Sequence, residues 1–176
     1  MWRLNTFGAV CFFTQNKQLG VRLSSASKAL ISFLSIHRGR SVPRDELAYA
    51  VWAADYDKKL QHRLSNIVWR LGNLSSNLKI AGAAGFFFVE PSGNMRLNDC
   101  SGMHIDFDML ENAVRTCQIN PTLATSAQIE TITSAASLYL DDFMRELDLE
   151  WVVEKRNYVR QCYLDVLVFL IKHYKR

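Results

Sequence analysis

The sequence is poor in the residues that break, staple or anchor a chain. Three prolines and eight glycines in 176 residues exclude collagenous, linker-like and low-complexity classes. Its four cysteines, Cys11, Cys100, Cys117 and Cys162, stand far apart, and His37, His62, His104 and His173 are equally scattered. No paired-ligand zinc site is encoded. Cys117 and Cys162 fall in helical apolar patterns and are expected as core thiols. The longest uninterrupted apolar stretch, Val166 to Ile171, is six residues, far short of a membrane span. Phe7 to Phe13 is apolar as well, but no basic head precedes it and no small-residue cleavage site follows. Enzyme motifs are missing too: there is no Gly-rich phosphate loop, no HExxH pattern and no G-x-S-x-G elbow. Asp141, Asp142, Glu146 and Asp148 read as cap and surface carboxylates rather than a magnesium site. These absences predict a soluble, cytoplasmic, non-enzymatic protein that needs no cofactor, metal or membrane.

What is present is enough apolar material for a real core: 49% of residues are hydrophobic and 22% charged. A chain of this length can bury roughly 70% of its extended surface. The net charge of +4 is unevenly placed. Residues 1–100 hold 13 Lys and Arg against 6 Asp and Glu, whereas residues 101–176 hold 8 against 11. A basic front half and a mildly acidic back half suggest two modules, the first suited to a polyanion.

The hydrophobic pattern supports that division. Leu4 to Phe7, Ala9 to Phe13 and Val21 to Leu23 read as short strands, with a polar turn over Thr14 to Gln18. Ser24, Ser25 and Ser27 offer caps for a helix whose apolar stripe is Ala26, Leu30, Phe33, Leu34 and His37, and Gly39 stops it. Pro43, Asp45 and Glu46 suit the first turn of a second helix that buries Leu47, Ala50, Val51 and Trp52. A third helix sets Leu60, Leu64, Ile67, Leu71, Leu74 and Leu78 on one face. Lys59, His62, Arg63, Asn66, Trp69, Arg70 and Asn73 stand on the other. A hairpin follows, with Leu78 to Ala81 and Phe86 to Val89 around a Gly/Ala turn, then a turn over Pro91 to Asn94 and a strand at Met95 to Leu97. Strands, three helices and a terminal hairpin make one complete domain over residues 1–99. After a polar connector at Asp99 to Met103, residues 104–176 read as all helical. Asp106 or Asp108 caps a helix carrying Phe107, Leu110, Ala113, Val114 and Cys117, and Asn120 and Pro121 break it. Two more helices between Ser126 and Tyr174 break near Asp141-Asp142. Helix pairs of this kind need stacking neighbours, and residues 101–176 are short for a full array, so the second module is expected to be either incomplete or a compact variant.

Residues 30–52, LISFLSIHRGRSVPRDELAYAVW, resemble the segment L-L-x-x-L-x-x-x-x-G-x-x-V-s-R-e-x-L-x-x-x-v-W of the OmpR/PhoB-type winged helix-turn-helix family. Gly39, Val42, Arg44, Leu47 and Trp52 fall on its marked positions, and Gly85-Phe86 stands where the wing usually reads Gly-Tyr. Downstream, Asp106-Phe107, Leu138-Tyr139, Trp151, Arg156 and Tyr163 resemble the bacterial transcriptional activation domain of SARP-type regulators. The resemblance implies an α+β winged helix-turn-helix with an N-terminal β-sheet, followed by an all-α, TPR-like domain. It implies a DNA-binding transcription regulator, with residues 58–77 as recognition helix, 42–52 as supporting helix and 80–97 as wing. Its second domain would serve dimerisation and contacts with RNA polymerase or another regulatory protein. The sequence departs from the family at commonly basic positions, where Asn66, Val68 and Trp69 stand, and at Phe87, where the wing usually carries arginine. Each lost phosphate contact lowers affinity and flattens its salt dependence.

The residues expected to meet double-stranded DNA are therefore Arg38, Arg40, Arg44, Lys58, Lys59, His62, Arg63, Asn66, Arg70 and Asn73. Trp69, Phe87 and Trp151 are assigned to packing between modules or to a partner, since an apolar ring on a polar face is costly to leave wet. The same substitutions support a rival reading, a winged helix retooled for protein–protein contact with little DNA affinity.

Overall fold

The computed structural model describes residues 2–14, 17–77, 85–98 and 103–175. The expected strand at Leu78 to Ala81, the turn after it and the connector Asp99 to Gly102 lie outside these residues, as does Cys100. The chain forms two compact units, Met1–Trp2 with Cys11–Met103, and Arg3–Val10 with His104–Arg176.

In the first unit, β2 (Cys11–Thr14) and β3 (Lys17–Gln18) form an antiparallel hairpin with Phe13 opposite Gln18 and Thr14 opposite Lys17. The third strand thus lies inside the segment read as a turn, and Val21 to Leu23 is not a strand. The register explains the difference: the Leu19 amide donates to the Phe12 carbonyl at 2.9 Å, which consumes the pairing partners before Val21 is reached. Ser24 caps α1 (Ser25–Ile36), its hydroxyl accepting from the Ser27 amide. Gly39 (φ +82°) supplies the left-handed turn beyond the helix. Helix α2 (Arg44–Trp52) ends on Ala53, itself left-handed at φ 49°. Helix α3 (Lys58–Asn77) buries Leu60, Leu64, Ile67, Leu71 and Ser75; Leu74 is half-buried. The three helices pack on one another. Strands β4 (Phe87–Val89) and β5 (Met95–Leu97) form the antiparallel wing, pairing Phe87 with Leu97 and Val89 with Met95. A two-way backbone bridge between Val42 and Met95, at 2.7 and 2.8 Å, fastens the wing to the segment leading into α2. Phe86, just before β4, is fully buried and stacks on Phe12 with ring centroids 5.1 Å apart.

β1 (Trp2–Asn5) and β6 (Met103–Ile105), which belong to the second unit from Arg3 and from His104, are hydrogen-bonded to each other. Helices α4 (Asp106–Thr116), α5 (Ser126–Ser137) and α6 (Glu150–Tyr174) pack pairwise, with a short 3-10 turn at Pro121–Leu123 against α6. Thr125 and Gln128 form a reciprocal capping box at the start of α5. The break between α5 and α6 spans residues 138–149, and the guanidinium of Arg156 holds it together. It donates to the carbonyls of Phe143, Met144 and Leu147 at 3.0–3.1 Å. Phe107 and Phe143 fill the core, Cys162 is buried and Cys117 is half-buried. Burial, then the charge of Asp165, pushes the Cys117 thiol up to about 11. Together the units are a winged helix-turn-helix and a TPR-like helical module.

Sequence order places residues 1–99 in one module, but Arg3–Val10 belongs to the helical unit. The reason is Asp106. Instead of capping α4 from outside, it is fully buried, and its carboxylate accepts from the Thr6 amide (2.8 Å), the Thr6 hydroxyl (2.5 Å) and the Phe7 amide (3.0 Å). Phe7 then bridges to Phe143, and the Met144 and Arg145 amides donate to the Thr6 and Gly8 carbonyls. The Val10 amide donates to Glu146 at 2.8 Å. Burial pushes the Asp106 carboxyl above its ordinary value of 3.8, against the pull of the donors from Thr6, Phe7 and Phe107.

Asp106→Ala leaves buried donors unmet and is expected to cost about 2–4 kcal/mol in urea unfolding. Because the folded-state value is raised, the folded protein holds this proton to higher pH than the unfolded chain. The group's contribution is therefore fully present below the unfolded value and declines as pH rises through the folded one. The stability gap between wild type and Asp106→Ala should narrow as pH rises from about 4.

Candidate nucleic-acid interface

Burial of the leucine seam decides which side chains of α3 face water. With Leu60, Leu64, Ile67 and Leu71 turned inward, Lys58, Lys59, His62, Arg63, Asn66, Trp69, Arg70 and Asn73 are all exposed. The helix thus carries four cations and no carboxylate on its solvent side. Lys59, Arg63 and Arg70 recur at four- and seven-residue steps along one flank, while Ser65 and Gly72 occupy the other. Asp57, just before the helix, receives the Leu60 amide at 2.7 Å and acts as its cap, a role the sequence reading did not assign.

Several of the expected DNA-contacting cations are engaged within the unit. Arg44 is half-buried and spans two elements: its Nε donates to the Gly93 carbonyl in the wing turn (3.1 Å) and its guanidinium to the Ser65 hydroxyl on α3 (3.2 Å). Arg40 forms an ion pair with Glu46 at 2.7 Å, so part of its charge is met locally. Arg63 lies over the Trp52 ring, 4.9 Å from the centroid. Arg38 is half-buried beside Gly39. The structure therefore brings Lys58, Lys59, His62, Arg63, Asn66, Arg70 and Asn73 onto one face, and gives Arg44 a bridging position beside it.

The aromatic residues sort differently. Trp69 is 67% exposed, so it packs neither on the wing nor in the core of its unit. Phe87 is half-buried in the wing, and Phe88 is exposed beneath the guanidinium of Arg96, its cross-strand neighbour, at 4.7 Å. Trp151 is half-buried in the first turn of α6. The carboxylates considered for magnesium are occupied otherwise: Asp141 pairs with Arg145 and Asp142 with Arg160 (2.6 Å), while Glu146 binds the Val10 amide. Among the described residues, no three His, Cys, Asp or Glu side chains gather to hold a metal ion. No helix among them is long and apolar enough to cross a membrane.

Arg44 is a positioning residue in this geometry. Arg44→Met should loosen the wing, with faster hydrogen exchange at the amides of Gly93 to Met95. Its stability loss should be modest, about 1 kcal/mol, because both bonds are partly exposed.

No protein-family model matches this sequence, and no curated protein matches it either. Among solved structures, the chain is similar to Mycobacterium tuberculosis EmbR, determined in complex with a low affinity phosphopeptide. The TM-score is 0.74 over 94% of this chain, at 14% sequence identity. The chain spans 43% of the length of that structure. At this identity the two chains share a fold.

Proposed function

We propose that this chain is a DNA-binding transcription regulator of the cytoplasm, with α3 docked in the major groove and the wing on the adjoining backbone. The observation that carries the reading is the solvent face of α3: cations and amides on one 20-residue helix, with no acidic residue among them. Helices in the major groove meet phosphates with Lys and Arg along their flanks and base edges with the residues between. Lys59, Arg63 and Arg70 supply such a flank, and Arg44 sets the wing beside it. The fold shared with EmbR supports the assignment of modules, and the residues that resemble SARP-type regulators agree with it. The helical unit serves dimerisation, which supplies two half-sites, and contacts with RNA polymerase or another regulatory protein. Arg38 adds to this surface beside α3, Arg40 adds the charge left over from its pair with Glu46, and His62 stands on α3 itself.

A second reading is supported by Trp69. An indole 67% exposed in the middle of this helix suits a winged helix that binds a protein in place of DNA.

The test is fluorescence anisotropy of the full chain with a labelled random duplex at two salt concentrations. The expected result is micromolar affinity that falls steeply as salt rises. Lys59→Ala, Arg63→Ala and Arg70→Ala should each weaken binding and reduce the salt slope by about one unit. Absence of binding at low salt overturns the DNA reading and favours the second.

A further inference from the structure

The exposed side of α3 has an internal order that its charge alone does not explain. His62, Asn66, Trp69 and Asn73 follow one another at steps of four, three and four residues, so they form a single row along the helix. All four are exposed. The row is the one most directly opposite the buried seam of Leu60, Leu64, Ile67 and Leu71, while Lys59, Arg63 and Arg70 lie to one side of it. In a helix seated in the major groove, the row opposite the core faces the floor of the groove and the side rows face the phosphates.

Past Lys58, that row has no arginine or lysine, the side chains that pair with guanine O6 and N7. It has two asparagines instead, whose amides match the N6 and N7 edge of adenine, and one indole between them. Asn66 and Asn73 are seven residues apart, about 10 Å along the axis, or the rise of about three base pairs. The indole is alone. It is the one large exposed apolar side chain among the described residues of α3, with His62, Ser65, Asn66, Asn73 and Ser76 around it. A protein-docking patch would place contiguous apolar surface there. A lone ring between hydrogen-bonding side chains instead complements a surface on which isolated methyl groups interrupt donors and acceptors, and in the major groove that methyl belongs to thymine.

We infer that the central row of α3 reads A·T base pairs, with Asn66 and Asn73 on adenine edges and the Trp69 ring against thymine methyl groups between them. The inference rests on the DNA-binding reading above and specifies what that site recognises. The arginines on the flank hold the backbone, and Arg63 among them lies over Trp52.

Uracil differs from thymine only by that methyl, which makes the test direct. Anisotropy titrations of the full chain are compared on three labelled duplexes of equal length: alternating dA–dT, alternating dA–dU and alternating dG–dC. The expected order is dA–dT tightest, with dA–dU weaker by about fourfold for each methyl buried. Trp69→Ala should bind dA–dT and dA–dU equally, and because the ring is exposed the variant retains the fold. Asn66→Ala and Asn73→Ala should weaken both duplexes alike. Equal affinity of the wild type for dA–dT and dA–dU, or preference for dG–dC, overturns the inference while leaving DNA binding in place. Failure to bind any of the three at low salt overturns the DNA-binding reading itself, and this inference with it.

Discussion

The Asp106 carboxylate gathers two amides and a hydroxyl from Thr6 and Phe7, and around it the whole second unit is closed. A carboxyl group taken out of water is costly unless donors surround it. Here the donors come from a segment about a hundred residues away in sequence, so the polar requirement of one side chain fixes the path of the backbone. With Thr6 and Phe7 held, Phe7 reaches Phe143, Gly8 reaches Asp142, and Val10 reaches Glu146. Arg156 completes the arrangement from α6 by satisfying the carbonyls of the same loop. Three helices that need stacking neighbours are thereby supplied with a strand pair and a loop as part of their cover.

The first unit depends on apolar periodicity. The leucines of α3 leave its charged and amide side chains no alternative to the solvent side, and the Val42–Met95 bridge and Arg44 set the wing beside them. Two kinds of cation result. Those on α3 are exposed, Arg63 with its guanidinium over Trp52, whereas Arg44 and Arg40 are held by a carbonyl, a hydroxyl and a carboxylate of their own unit. Positive charge counted along the sequence therefore overstates what is presented to a polyanion, and four of the exposed cations stand together on α3.

The features legible in the sequence are those set by local pattern. The seam of α3, the serine cap of α1, the stop at Gly39 and the wing strands follow from spacing and from residue types at turns. So does the exposed face of α3, since helical periodicity determines which residues share a side. The features that were not legible depend on pairing at a distance or on register. Val21 to Leu23 has strand-like composition, yet the hairpin closes earlier, at Gln18 and Leu19. Asp106 looks like an ordinary helix cap, since nothing near it in sequence announces Thr6. Arg44 falls on a family position, but its bonds to Gly93 and Ser65 depend on how the wing returns to the helix. Trp69 reads as a residue needing cover, and only the folded unit shows the ring standing in solvent.

The threading of the chain has a kinetic consequence. The second unit begins at Arg3, is left at Val10 and is rejoined only at His104, with the winged unit made in between. During synthesis, therefore, residues 3–10 are made about a hundred residues before the helices they join. Cys11–Met103, which makes up nearly all of the winged unit, can form before the helices of the second unit are made. Loop closure over such a separation is slow relative to local helix formation, so the last step of folding should be the capture of residues 3–10 by a helical unit already assembled around Phe107 and Phe143.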